Sequence, residues 1–126
     1  MTISAADLHG LEQRVNATLS QHNAKFVMTV HFSAERLNDA RNVPPLNIAE
    51  LEDVFVRLID QHIMSILVLN DQDTFNIRCS QSHINMPCAV QKTSSVNSGV
   101  THKNIIITVM RKKTFKAKDP VEFVVA

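Results

Sequence analysis

Six histidines stand in a chain of 126 residues, and imidazole is the side chain that exchanges protons near neutral pH. His31, His83 and His102 fall at a helix start or in loops, where a ring can act as general acid or base. Each also reads, more simply, as a surface or capping residue. His22 and His62 end apolar helical faces, where a histidine complements the C-terminal dipole. His31, Glu35, Asn38 and Arg41 recur at three- or four-residue steps, so a helix would gather them near one face, with Arg36 alongside. The plainer alternative pairs Glu35 and Asp39 with the arginines on a solvated surface, worth about tenths of a kcal/mol.

Metal and cofactor chemistry find little support. Cys79, His83, Cys88 and His102 form a valid zinc ligand set by type. Their spacing, C-x3-H-x4-C-x13-H, matches no zinc-finger pattern, so no metal is expected. The chain has no P-loop, dinucleotide fingerprint, HExxH or EF-hand loop, and no cofactor is expected.

Charge is more informative. The net charge is +1, but residues 1–60 hold five Lys/Arg against eight Asp/Glu, and residues 61–126 hold eight against four. Lys103, Arg111, Lys112, Lys113, Lys116 and Lys118 follow one another with no acid before Asp119. Such a stripe attracts a polyanion; it can equally be a lysine-protected edge strand. In a strand, Arg111 and Lys113 point to one face and Lys112 to the other, so at most half of the stripe serves one site.

The elements that must carry these residues read as helices first and strands last. Residues 4–23 form an amphipathic helix, with Ser4 as cap and Leu8, Leu11, Val15 and Leu19 as its stripe. Residues 25–42 are ambiguous: Lys25–Phe32 could start as a strand, but the preferred reading is a helix from Val30 to Arg41 capped by Thr29 and ended by Val43-Pro44-Pro45. Residues 48–62 are the clearest helix, capped by Asn47 with Glu50 three positions on. Ile63–Leu69 is a short apolar run suited to a central strand, and Asn70–Asp73 a turn. Thr74–Cys79, Pro87–Gln91, Asn104–Met110 and Val121–Val125 are further strands, and Thr93–Thr101 a mobile loop. Helices then strands, without alternation, predict one α+β domain: helices on one face of a small antiparallel sheet. No apolar run reaches the roughly 18 residues of a membrane span. The N-terminus lacks a basic stretch followed by an apolar one, and the two cysteines fit a reducing compartment. A cytoplasmic protein with no membrane partner is the expectation.

Two stretches together resemble a family of small proteins encoded by tailed bacteriophages. The first is Thr29-Val-His31-Phe-Ser-Ala-Glu35-Arg36-Leu-Asn38-Asp-Ala-Arg41-Asn42, followed by Ile48-Ala-Glu50-Leu51. The second is Ser82-His-Ile-Asn85-Met-Pro87, followed by Thr108-Val-Met-Arg111-Lys112-Lys113-Thr-Phe115-Lys116-Ala-Lys-Asp119-Pro120. The likeness covers about residues 26–122 and is most specific at Arg-Lys-Lys-x-Phe-Lys. More distantly, His31-x4-Arg36-x4-Arg41 is similar to a helix of the barnase–colicin–RelE-like nucleases.

That resemblance implies helices ahead of a small antiparallel sheet, and RNA cleavage without a metal. The 2′-hydroxyl would be the nucleophile, with a general base and cations on the phosphorane. It implies His31 or His83 as acid or base, with Arg36, Arg41, Arg111 and Lys113 on phosphate. Lys112 and Lys116 complete the basic segment that would meet RNA. The chain departs from a typical RNA binder in having no Tyr or Trp and six Phe. The sequence reading is therefore a phage-encoded ribonuclease or RNA-binding protein, in the host cytoplasm. Its rival is a non-enzymatic virion component, or a binder of a host or phage protein, in which Val121–Val125 forms an open edge that another chain extends. Whether catalysis exists stays open at this point.

Overall fold

The computed structural model describes residues 3–28, 38–39, 42, 44–95, 99–113 and 121–125. Helix α1 (Ala5–Leu19) starts where the sequence predicts. The Ser4 hydroxyl accepts the Asp7 amide at 3.1 Å, and the Asp7 carboxylate accepts the Ser4 amide at 3.0 Å. This reciprocal cap satisfies two amides that the first turn cannot pair internally. It also holds the Asp7 carboxyl below the usual carboxylate range, first through the Ser4 backbone and then through its hydroxyl. Leu8, Leu11, Val15 and Leu19 are buried along one stripe. A 3-10 turn (Ser20–His22) follows, and Asn23 at φ 52° redirects the chain into strand β1 (Ala24–Val27).

Helix α2 runs from Ile48 to Leu67, 20 residues, longer than the sequence predicts. The run from Ile63 is the helix's last turn and a half, not a strand. Leu58, His62 and Ile66 keep four-residue steps, so the apolar stripe continues unbroken. A short apolar run is ambiguous in period, and a helix already capped at Asn47 gains one hydrogen bond per added residue without a new nucleation cost. The turn at 70–73 then closes, with the Asn70 amide donating to the Asp73 carboxylate at 2.7 Å. No helix among the described residues is long and apolar enough to cross a membrane.

The remaining strands are β2 (Thr74–Cys79), β3 (Ile84–Ser95), β4 (Gly99–Ile106), β5 (Met110–Arg111) and β6 (Val121–Val125). Their order is β1-β4-β3-β2-β6, and β5 follows β4 along β3. The chain is α+β as predicted, but its sheet is mixed. The β2/β3, β3/β4 and β3/β5 pairs are antiparallel, whereas β1/β4 and β2/β6 are parallel. The parallel pairs join strands far apart in sequence, where long connections allow either direction. Part of the expected Thr93–Thr101 loop is paired as well: Thr93, Ser94 and Ser95 stand opposite Thr101, Val100 and Gly99. Gly99 has φ 70°, a conformation that glycine adopts without strain.

Both helices pack on one face of the sheet. Phe26 meets Phe55 of α2 with ring centroids 5.0 Å apart, and Phe75 meets Phe123 at 5.4 Å. Full burial of Leu51, Phe55, Leu58 and Ile66 contributes about 1.5–3 kcal/mol per side chain before entropy is counted. The sheet's two edges are closed by helix side chains. The Asn16 carboxamide donates to the Phe26 carbonyl at 2.9 Å and accepts its amide at 2.8 Å, and Glu12 accepts the Met28 amide at 2.6 Å. At the far edge, the His62 ring Nε2–H donates to the Val124 carbonyl at 2.8 Å. That gives His62 a task other than the helix dipole, and it occupies part of the β6 edge that the sequence left open.

Candidate nucleic-acid interface

The two layers carry opposite charge. Helices α1 and α2 hold six Asp/Glu and two arginines, whereas the six strands hold five Lys/Arg and one glutamate. Side chains alternate across a strand, so the strand cations divide between the helix-packed face and the opposite face. No described helix packs on the opposite face. It receives Lys25, Lys103 and Arg78, together with Val27, Ile105, Pro87 and Ala89.

Lys25 on β1 stands directly opposite Lys103 on β4. Like charges directly opposite one another on a sheet are destabilising. Among the described residues neither lysine makes an ion pair. Gln91 of β3 lies on the other side of Lys103. The arrangement offers two ammonium groups and a carboxamide at neighbouring positions, a donor set suited to phosphate.

Further along the same face, β2, β3 and β6 build a polar cluster. The Asn76 side-chain amide donates to the Asn85 carboxamide oxygen at 3.2 Å and to Glu122 at 2.9 Å. Arg78 pairs with Glu122 at 3.3 Å. The other donors on Asn85 reach the carbonyls of His83 and Lys112 at 3.2 and 3.1 Å. Asn76 and Asn85 are buried, while the Arg78 side chain keeps 43% of its surface exposed. Among the described residues the buried Arg78 Nε and Asn76 Oδ1 have no hydrogen-bond partner. Lys112 and Lys113 are exposed beside this cluster, and the Lys112 amide donates to the His83 carbonyl at 2.9 Å. His83 itself, half-buried, takes φ 62° in the β2–β3 turn.

Arg111 is differently employed. Its side chain is 7% exposed and points to the helix side. Nε donates to the Pro44 carbonyl at 2.8 Å and Nη1 to the Ser82 carbonyl at 2.9 Å. Nη2 reaches the Pro45 carbonyl at 3.3 Å and Glu50 at 2.6 Å. The Arg111 amide also donates to Asn42 at 2.8 Å. Glu50 is the residue that closes the α2 capping box, accepting the Asn47 amide at 3.3 Å. Arg111 thus clasps β5 to the start of α2 and to the β2–β3 turn, and a phosphate would have to displace one of these acceptors.

The residues singled out from sequence therefore fall into three groups. His83 and Lys112 meet at one end of the open face, with Lys113 next to them. Arg111 points to the helix side of β5, and because the strand ends there, the alternation expected to place Lys113 with Arg111 and Lys112 opposite does not extend to the two lysines. His31, Arg36, Arg41 and Lys116 lie outside the described residues. His102 lies on the helix side, buried, with Nε2 3.0 Å from the Asn104 carboxamide oxygen and Nδ1 unpartnered. Burial lowers its pKa, the Asn104 contact partly offsets that, and Lys92 adds a smaller lowering. Among the described residues no three His, Cys, Asp or Glu side chains converge on a common point.

Sequence reasoning passed over Lys25, Arg78 and the Asn76–Asn85–Glu122 cluster. The signal for part of it was present: Thr74, Asn76 and Arg78 are the polar phase of an alternating strand. For Asn85 and Glu122 no local signal exists, because their partners lie on other strands. Comparison with protein-family models, with curated proteins and with solved structures finds no match.

Proposed function

We propose that this chain is a phage-encoded RNA-binding protein of the metal-independent ribonuclease type, which receives RNA on the face of its sheet against which no described helix packs. The observation that supports it is the division of charge between the layers, with Lys25 and Lys103 side by side and unpaired. A cationic face backed by an acidic layer orients an approaching polyanion, so that the sheet meets it first. In this reading Lys25 and Lys103 take phosphates at one end, and Lys112, Lys113 and Arg78 take them at the other. Cleavage is the further half of the proposal. It assigns proton transfer to His83 and His31, and phosphate to Arg36, Arg41 and Lys116, on the strength of the resemblance alone.

One assay separates the two halves. Purified protein is incubated with end-labelled RNA and EDTA, and both retention and cleavage are scored. Retention should weaken with salt, log affinity falling by about 0.7 per neutralised phosphate for each decade of salt. A flat salt response rejects the RNA reading. Retention without cleavage keeps binding and removes the nuclease.

A second reading, a non-enzymatic phage protein that sits in the virion or binds a host or phage protein, is favoured by the apolar surface of α2. Val56, Met64 and Val68 are 58, 69 and 75% exposed. Detection of the chain in purified particles, with no RNA retention, would favour it.

A further inference from the structure

Helices α1 and α2 run in the same direction: Ala6 lines one hollow with Asn47, Arg14 pairs with Glu52 at 2.9 Å, and Thr18 lines a second hollow with Asp60. The hollows have volumes of about 350 and 300 Å³, and Arg14 lines both. The seam between the helices is therefore an open groove, bridged once by the Arg14–Glu52 pair. Ala6 and Gly10 keep its first half wide. Its second half is floored by Val15 and Ile59 and flanked by Val56. Beyond it, the half-buried Ile63 continues the same face along α2.

We propose that this groove seats one amphipathic helix of a partner protein, with apolar residues in the seam and lysines or arginines beside it. The shape argues for a helix. Val56, Ile59 and Ile63 are spaced by three and four residues, so they form a ridge into which a third helix packs. The charge argues for a basic one. Asp7, Glu52 and Asp60 line the groove, and the one cation among its described lining residues, Arg14, is already paired with Glu52. The same charge argues against a second copy of this chain. A second copy would meet this face with the same excess of acids over bases, and like net charge disfavours such an interface. The proposal uses the helix layer only and stands independently of RNA binding on the sheet.

The probe is a fluorescein-labelled 18-residue peptide of leucine and lysine, with leucines at alternating three- and four-residue steps. A scrambled peptide of the same composition and a leucine–glutamate peptide of the same pattern are the comparisons. Fluorescence anisotropy should show the patterned leucine–lysine peptide binding at least ten-fold more tightly than either. Methyl NMR should shift Val56, Ile59 and Ile63 and leave Ile105 in place. Val56→Asp and Asp60→Lys, both at exposed positions, should each weaken binding several-fold with an unchanged circular-dichroism melt. Equal binding of the scrambled peptide, shifts confined to the sheet face, or full affinity in both variants overturns the proposal. So does a dimer in sedimentation velocity that Val56→Asp dissolves, because the occupant would then be a second copy.

Discussion

The two sides of the sheet use their polar residues in opposite ways. On the helix side, Arg111 spends its guanidinium on three carbonyls and Glu50, and is almost wholly buried. On the open side, Lys25 and Lys103 face one another with no ion pair among the described residues, and Arg78, though paired with Glu122, keeps 43% of its side chain exposed. A cation with four donors engaged contributes to one conformation, and removing it leaves Glu50 and the Ser82 carbonyl without that partner. A cation held beside another cation costs stability, and an arriving anion relieves that cost. The contrast separates residues that hold the fold from residues available to a ligand, within one short basic sequence.

The sharpest way to break this contrast is Arg111→Ala. It should cost about 1.5–3 kcal/mol, because Glu50 and the Ser82 carbonyl lose a charged partner while the exposed Pro44 and Pro45 carbonyls turn to water, seen as a lower urea midpoint. Arg111→Lys should recover only part of that, since an ammonium lacks the fork that reaches acceptors on separate segments. If Arg111→Ala melts like the parent protein, the clasp is not structural. Next in size is Asn47→Ala, which removes the α2 cap that Glu50 shares with Arg111, for about 1 kcal/mol.

A pH titration probes the helix side separately. His102 has its pKa lowered from 6.5, so the folded state holds that ring neutral where the unfolded state protonates it. Its contribution is complete above about pH 6.5 and is lost as pH falls from there toward the lowered value, below which it is constant. Thermal melts between pH 7.5 and 5 should show this decline, and His102→Asn should flatten it. An unchanged slope in that variant would assign the decline to other groups.

The smallest stability effects belong to the open face. Lys25→Ala with Lys103→Ala should change stability by less than about 1 kcal/mol, in the stabilising direction, because like-charge repulsion is removed. The same double variant should reduce the salt slope of RNA retention by about 0.7 for each phosphate that is no longer neutralised. Full retention with an unchanged slope would move the interface elsewhere.

What could be read from sequence follows the range of the interactions involved. The starts of α1 and α2 were legible because Ser4–Asp7 and Asn47–Glu50 are caps three residues long. Strands β2 and β6 were legible in place, since alternation is local. The parallel β1/β4 and β2/β6 pairs were not, because nothing near Ala24 or Val121 names a partner across the chain. The end of α2 was missed for a different reason: Ile63–Leu69 satisfies both periods, and only the stripe inherited from Leu58 decides between them. The basic segment was recognised as a unit, but the alternation expected within it stops with β5 at Arg111. The clasp itself was hidden, since Pro44, Pro45 and Glu50 lie more than sixty residues from Arg111.

The helix side chains at the sheet's rims carry a further consequence. Asn16 and Glu12 occupy backbone groups of β1, and His62 occupies a carbonyl of β6, that a foreign strand would otherwise use to add itself. Resistance to fibrous self-assembly is therefore vested in helix docking as well as in the rim lysine Lys25. A fluctuation that lifts α1 frees the Phe26 and Met28 amides in the same step that uncovers the core, so local opening and strand recruitment share one barrier. Tightening the seat of α1 would lower both hazards together, whereas added surface charge would address only the second.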